Sequence, residues 1–339
     1  MITSSVFAGK RYAVLGLARS GLTSAEALLA SGAHVTAWDN REEPRQALAG
    51  RAELADPLAI DLAGYAGVVV SPGVPLNTHP IADAARQAGV PIIGDIELFA
   101  QARPELPAHR VVGITGTNGK STTTALIHHL LKSAALPARM AGNIGLPILG
   151  QDPLPSGGVY VLELSSYQID LTHSLACDVA ALINVTPDHL DRYDGFAAYA
   201  ASKARLFAMQ GTNQHAVFGT GDAETLAIAA HEACRRAQDR IHRVDGVDLL
   251  ALQPEWASLQ GPHNLQNAAV AVATVEALGL TRGQWLPAMR TFRGLPHRME
   301  RVAEWQGVLF INDSKATNPA STAPALAAFP PAPDRRIHW

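Results

Sequence analysis

The string with the clearest chemistry is Gly116-Thr-Asn-Gly-Lys-Ser121, set between the apolar run RVVGIT and the amphipathic run KSTTTALIHHLLKSA. Glycines at such a turn let backbone N–H groups point at a phosphate, and the helix that follows adds the positive end of its dipole. Lys120 supplies charge, and the Ser121 hydroxyl suits Mg²⁺. The eight-residue spacing GxxxxGK[ST] is not met, because Ile114 stands where the first glycine belongs; the shorter GxxGKS is what remains. Glu163 interrupts the apolar run VYVLEL, and an acid at a strand exit beside a phosphate loop is the ligand that a metal–phosphate site needs. An exposed acid on an edge strand is the plain alternative. Asn184, Asp188, His189 and Asp191 follow the run VAALIN at another strand end. Taken alone, His189 also reads as a helix cap or a space-filling ring, and Lys203 as a solvated surface lysine. In HNLQN, at a helix start, capping by itself explains Asn264. Asp313-Ser-Lys-Ala-Thr-Asn318 packs acid, base and hydroxyl into a turn whose composition suits phosphate and metal together, or simply solvent.

A second, weaker motif lies near the N-terminus. Gly16-Leu-Ala-Arg-Ser-Gly21 follows a strand and opens a helix, and Asp39 ends the next strand 18 residues later. This is the pattern of a dinucleotide fingerprint with Ala18 in place of the middle glycine, or of a tight turn that holds no ligand. Ser71-Pro-Gly-Val74, at another strand end, would face the same side.

The elements that must position these residues come in βαβ order. From Lys10 to about Arg103 short β-branched runs (RYAVLG, HVTAWD, GVVVSPG, VPIIGD) alternate with amphipathic segments, which predicts a mostly parallel sheet with helices on both faces. Ala102–Ala108, with two prolines and no periodicity, reads as a linker. A second α/β unit follows, with strands RVVGIT, VYVLELSS, VAALINVT and HAVFGTGD and a long helix over HNLQNAAVAVATVEALG. Beyond Arg298 the pattern predicts two strands around Gln306-Gly307, one alanine-rich helix, and the start of a further strand at Arg336–Trp339.

Composition narrows the class. At about 150 residues per domain, 339 residues make roughly two domains and a remainder. An apolar share of 47% with 17% charged residues excludes wholesale disorder, and a formal charge of -3 argues against a nucleic-acid-binding surface. Cys177 and Cys234 form neither a disulfide framework nor a metal spacing and read as reduced, buried thiols. Arg19 ends the first apolar run well short of the ~18 residues that a membrane span needs.

TGTNGKST, LELSSYQ around Glu163, NVTPDHLDRY around His189, LPHRME around Arg298 and NDSKATN from Asn312 together resemble the Mur ligases, the ATP-dependent amide-forming enzymes of peptidoglycan synthesis. TGTNGKST is shared with the folate-linked relatives; the other strings resemble the branch that joins D-glutamate to UDP-N-acetylmuramoyl-L-alanine. The resemblance runs from about residue 10 to Trp339. It implies an α/β chain with a Rossmann-like, UDP-substrate-binding parallel-sheet domain over 1–103 and a central phosphate-loop ATPase-like domain over 109–297. Only the start of a third, Rossmann-like domain would lie over 298–339.

The site residues it implies are numerous. ATP would lie on Gly116, Thr117, Asn118, Gly119, Lys120, Ser121 and Thr122, with Asn267 and Arg298 near the nucleotide and Asp313 near its ribose. Ser121 and Glu163 would hold one Mg²⁺, and His189 with a carbamylated Lys203 a second, so that Lys120, Glu163, His189 and Lys203 form the catalytic set. The UDP moiety would sit on Arg19, Ser20, Asp39, Arg41, Ser71, Pro72 and Gly73, with Asn143 and His189 at the muramoyl-alanine end and Lys315 and Thr317 facing D-glutamate. These small molecules are the expected partners, without nucleic acid or membrane, and the expected state is a cytoplasmic monomer. The resemblance implies a third domain of roughly 140 residues, a size normal for one domain. About 40 residues follow Arg298, so weak or no ligase activity is expected of the 339-residue chain by itself.

Overall fold

Runs such as GVVV, apolar at every position, are what strands covered on both faces require, and they become the centres of two parallel sheets. The computed structural model describes residues 1–316, 319–330, 332–333 and 336–338, with the backbone alone at position 320. The first sheet is built from β1 (Arg11–Leu15), α1 (Arg19–Ala30), β2 (His34–Trp38), α2 (Glu42–Gln46), β3 (Glu53–Leu54), β4 (Gly67–Val70), α3 (Ile81–Ala88), β5 (Ile92–Ile93) and α4 (Asp95–Ala102). Its order, β3-β2-β1-β4-β5, reverses between β1 and β4, so the carboxyl ends of those two strands open a crevice. There α1 passes so close to the exit of β1 that a Cβ on Gly21 would lie 1.8 Å from the Gly16 carbonyl oxygen; only glycine fits.

The segment read as a linker carries one 3-10 turn, Arg103–Glu105, held where the Arg103 guanidinium donates to the Ala176 carbonyl at 2.7 Å. Next come β6 (His109–Thr115), α5 (Lys120–Ser133), β7 (Ala138–Gly142), β8 (Gly158–Glu163), α6 (Ser166–Asp170), β9 (Val179–Leu182), α7 (Gly195–Ala208), β10 (His215–Gly219), α8 (Ala223–Ala233), β11 (Ile241–Val244), α9 (Pro262–Ala277) and α10 (Arg282–Met289). The second sheet runs β11-β10-β9-β6-β8-β7, all parallel. β7 and β11 escaped the pattern reading because they are its two edges, where short runs with charges (ARMAG, IHRV) replace β-branched ones. β8, by contrast, lies inside the sheet, which removes the edge-strand alternative for Glu163.

One hydrophobic cluster runs through both sheets, from Val14 and Phe99 to Tyr160, Leu162 and Phe207, while a second packs α5, α9 and α10 on the other face of the second sheet. After α10 the chain turns into the antiparallel pair β12 (Glu300–Trp305) and β13 (Val308–Asn312), joined at Gln306-Gly307, and then α11 (Pro319–Ala327). Residues 336–338 form no strand, contrary to the pattern reading, and Trp339 lies outside the described residues. Cys177 is buried as expected, whereas Cys234, at the C-terminal end of α8, is exposed, contrary to the expectation of a buried thiol. Among the described residues no helix is long and apolar enough to cross a membrane.

Candidate active site

The phosphate-loop string leaves β6 and enters α5 at the point where the order of the second sheet reverses. Gly119 adopts φ +87°, and a Cβ there would meet Asn267 Oδ1 at 2.2 Å, so the loop needs glycine both for its backbone and for the approach of α9. The N–H groups of Lys120, Ser121 and Thr122, in the first turn of α5, have no intrahelical partner and lie at the positive end of the helix. The Lys120 ammonium bends back over the loop, donating to the carbonyls of Gly116 at 2.8 Å and Thr117 at 2.7 Å. Burial lowers its proton affinity, against the pull of Glu163 and Asp188.

Glu163, the last residue of β8, is 1% exposed. Its Oε1 accepts from Asn143 Nδ2 at 2.8 Å, and its Oε2 is buried with no hydrogen-bond partner among the described residues. An orphaned carboxylate oxygen there is costly unless a cation or donor completes it. Ser121, Glu163 and His189 all line one cleft of ≈ 490 Å³, together with Thr117, Asn118, Gly119, Lys120, Thr122 and Asn143. Asn267, Arg298, Asp313 and Lys315 close its other side. Among the described residues no three His, Cys, Asp or Glu side chains converge as a metal cage. One carboxylate and one hydroxyl beside a phosphate cradle is instead the sparse donor set of Mg²⁺, which keeps waters and takes phosphate oxygens.

Lys203 overturns the plain reading of a surface lysine. It sits on the inner face of α7, 1% exposed, donates to the Gly116 carbonyl at 2.9 Å and lies 4.5 Å from the centre of the Tyr199 ring. Burial first, and then the Lys120 ammonium, push its amine well below the usual lysine range. His189 neither caps a helix nor fills the core: its backbone is left-handed (φ +53°), its side chain is 48% exposed, and its Nε2 lies 3.7 Å from Asp188 Oδ2. Asn264 is no cap either. The N-cap position of α9 is Gly261; Asn264 Nδ2 donates to the Gln260 carbonyl at 3.1 Å while its Oδ1 accepts from Asn267 Nδ2 at 3.1 Å. Asp313 Oδ1 accepts from the Met299 amide at 3.0 Å, and burial raises its carboxyl above the ordinary value. The Lys315 amide donates to the His297 carbonyl at 3.1 Å, and Thr317 lies outside the described residues.

The other expected residues gather at the crevice of the first sheet, outside that cleft. Asp39 accepts from the Leu17 amide at 2.7 Å and the Arg41 amide at 2.9 Å; burial works against these bonds, yet they hold its carboxyl below the ordinary value. Ser71 Oγ donates to the Gly16 carbonyl at 2.8 Å, with Pro72 and Gly73 following in the same turn, and Ser20 lies in the first turn of α1. Three bonds join this crevice to the loops of the second sheet. Arg19 donates to the Gly145 carbonyl at 2.9 Å, Asn77 to the Asp191 carbonyl at 3.2 Å, and Arg192 to the Val74 carbonyl at 3.0 Å. Asn143 and His189 are carried by those same loops, between crevice and cleft. The pattern reading gave no role to Gln266, His263 or Ser258, which also line the cleft; nothing in their local sequence distinguishes them from ordinary helix and loop residues.

Residues 10–94 match the family model of the Mur ligase MurD-like N-terminal domain, and residues 114–275 that of the Mur ligase middle domain. The whole chain is 71% identical to the UDP-N-acetylmuramoylalanine–D-glutamate ligase of Novosphingobium aromaticivorans and 64% identical to that of Sphingopyxis alaskensis, and covers 75% and 77% of their lengths. The enzyme of the same name from Zymomonas mobilis is 54% identical, with 78% of its length covered. Among solved structures, the fold resembles the UDP-N-acetylmuramate:L-alanyl-gamma-D-glutamyl-meso-diaminopimelate ligase of Neisseria meningitides, with TM-score 0.58 and 17% identity over 85% of this chain and 99% of that one. It also resembles MurF of Acinetobacter baumannii, with TM-score 0.58 and 20% identity over 96% of this chain and 70% of that one.

Proposed function

The chain belongs to the Mur ligase family, and on that premise we propose that it activates the alanine carboxylate of UDP-N-acetylmuramoyl-L-alanine with ATP and joins it to D-glutamate. The observation that carries this reading is the single cleft in which the phosphate loop, the orphaned Oε2 of Glu163, His189, Asn267, Arg298, Asp313 and Lys315 face one another, next to the crevice of the first sheet. The first-turn amides of α5 and Lys120 hold the β- and γ-phosphates of ATP, and Asn267, Arg298 and Asp313 frame the nucleoside. Ser121 and Glu163 would hold a Mg²⁺ ion, which would supply positive charge beside the transferred phosphoryl group. Arg19, Ser20, Asp39, Arg41 and Ser71–Gly73 take the UDP end of the substrate, and Asn143 and His189 steer its far carboxylate to the γ-phosphate.

The order of events follows from carboxylate chemistry. A carboxylate resists attack until it carries a leaving group, so its oxygen first displaces ADP and becomes an acyl phosphate. The amine of D-glutamate, placed by Lys315 and Thr317, then attacks the acyl carbon and inorganic phosphate departs, with Lys120 and Arg298 as the nearby cations that stabilise the negative charge. Lys203 enters as its carbamate: a buried amine held toward its neutral form adds CO₂, loses a proton and becomes an anion that, with His189, suits a second Mg²⁺. A coupled phosphate-release assay on the chain extended to the full length of its relatives, of which it covers 75% and 77%, tests the proposal. Release that depends on ATP, UDP-N-acetylmuramoyl-L-alanine and D-glutamate together supports it, and release indifferent to either substrate refutes it.

A further inference from the structure

A phosphate loop ordinarily turns all its amides toward the anion it holds, and here two of them are spoken for. Asn184 Oδ1 accepts from the Thr117 amide at 3.1 Å and from the Asn118 amide at 2.9 Å, while its Nδ2 donates to the Asn118 carbonyl at 3.1 Å. The Asn184 backbone carbonyl accepts from the Thr117 amide as well, at 2.9 Å. Two backbone donors meeting one side-chain atom fix which end of the amide is oxygen. The Thr117 hydroxyl is engaged too, donating to the Thr186 carbonyl at 3.1 Å and accepting from the Thr186 amide at 3.0 Å. Residues 117–118 are thus fastened to the segment after β9, and the amides left for an anion are those where α5 begins.

The geometry points to Asn184 as a positioning residue that divides the phosphate loop, with Thr117 and Asn118 a fixed rim and Gly119–Thr122 with Lys120 the part that holds phosphate. Asn184 touches no phosphate itself; its carboxamide occupies the rim amides so that only the second half of the loop is presented to ATP. This division rests on the reading of the loop as the ATP site.

Residue-resolved amide hydrogen exchange on the intact chain, with and without Mg²⁺ and ATP, tests both and tells them apart. The division predicts that the Thr117 and Asn118 amides exchange slowly in the free protein and change by less than about twofold on adding ATP, while amides within Gly119–Thr122 slow by about tenfold or more. Rim amides that exchange freely without nucleotide, or that gain protection with it, overturn the division and leave the ATP reading standing. Absence of any response across 116–122 overturns the ATP reading and the division with it. In Asn184→Ala, affinity for ATP and ADP falls about tenfold and affinity for AMP by less than about twofold, because the loss follows the phosphates beyond the first. An equal loss for all three nucleotides marks a merely structural residue and refutes the proposal. Asn184→Asp, which keeps the twin acceptor, restores slow exchange at Thr117 and Asn118; fast exchange there in this variant counts against it.

Discussion

Asp95, the first residue of α4, is 3% exposed, and among the described residues neither of its carboxylate oxygens finds a hydrogen bond of normal geometry. Burial raises its pKa from 3.8 to about 6, the helix-start amides of Ile96 and Asp95 offsetting only part of the cost. The folded state therefore binds more protons than the unfolded chain between those two values, and stability falls as pH rises through that window and is level above it. The gap is worth about 3 kcal/mol, since each unit is 1.36 kcal/mol. Asp95→Asn has no titrating group and loses this slope. Its buried amide N–H groups carry their own cost of about 1–3 kcal/mol, so the diagnostic is the pH dependence rather than the gain at any single pH. Urea unfolding of both chains from about pH 4 to pH 7 reads it directly, and the cluster shared by the two sheets favours a single transition. The stability of the variant relative to the parent should rise by about 2–3 kcal/mol from the acid end to the neutral end. A difference that moves by less than about 1 kcal/mol across that range refutes the argument that this carboxylate is buried and unpaired.

Three further outcomes concern the site, with turnover read in the chain extended to the full length of its relatives. Glu163→Gln removes the charge but not the shape of the carboxylate with the orphaned oxygen; turnover should fall by about 100-fold or more while the melting temperature holds or rises, and unchanged turnover would exclude Glu163 as a metal ligand. Gly119→Ala puts an L side chain at φ +87° against Asn267, and the strain of about 1–2 kcal/mol should weaken ATP binding by about tenfold in calorimetry, with binding of the UDP substrate unaffected. Lys203→Ala should abolish turnover and regain part of it with added formate or acetate; full activity without rescue would dispose of the carbamate.

The central strands and the phosphate loop were legible in the sequence because they rest on local signals: unbroken apolar runs for strands covered on both faces, and glycines where the backbone must turn. What was illegible depends on distant parts of the chain. The run AASKARLFA reads as an ordinary amphipathic helix, and that Lys203 faces inward is settled only by the packing of α7 beneath the carbonyl of Gly116. The bond from Asn184 to the phosphate loop joins residues 66 positions apart, so no window along the chain contains it. Asn264 differs: its partners, Gln260 and Asn267, are local, and what overturns the cap is that α9 begins at Pro262 after Gly261, so that Asn264 already lies inside the first turn. Edge strands fail for a different reason, since β7 and β11 carry the charges that protect an unpaired edge and so lose the pattern that announces a strand.

The bonds from Arg19, Asn77 and Arg192 across the two sheets, with the hydrophobic cluster common to both, hold the crevice of the first sheet, proposed above as the uridine site, at a set separation from the phosphate loop. On the proposed reading the molecule acts as a ruler. A nucleotide sugar without its alanine would leave its carboxyl short of the phosphoryl group, and one with an extra residue would overshoot, so length is selected by framework spacing even where no side chain inspects the missing or added atoms.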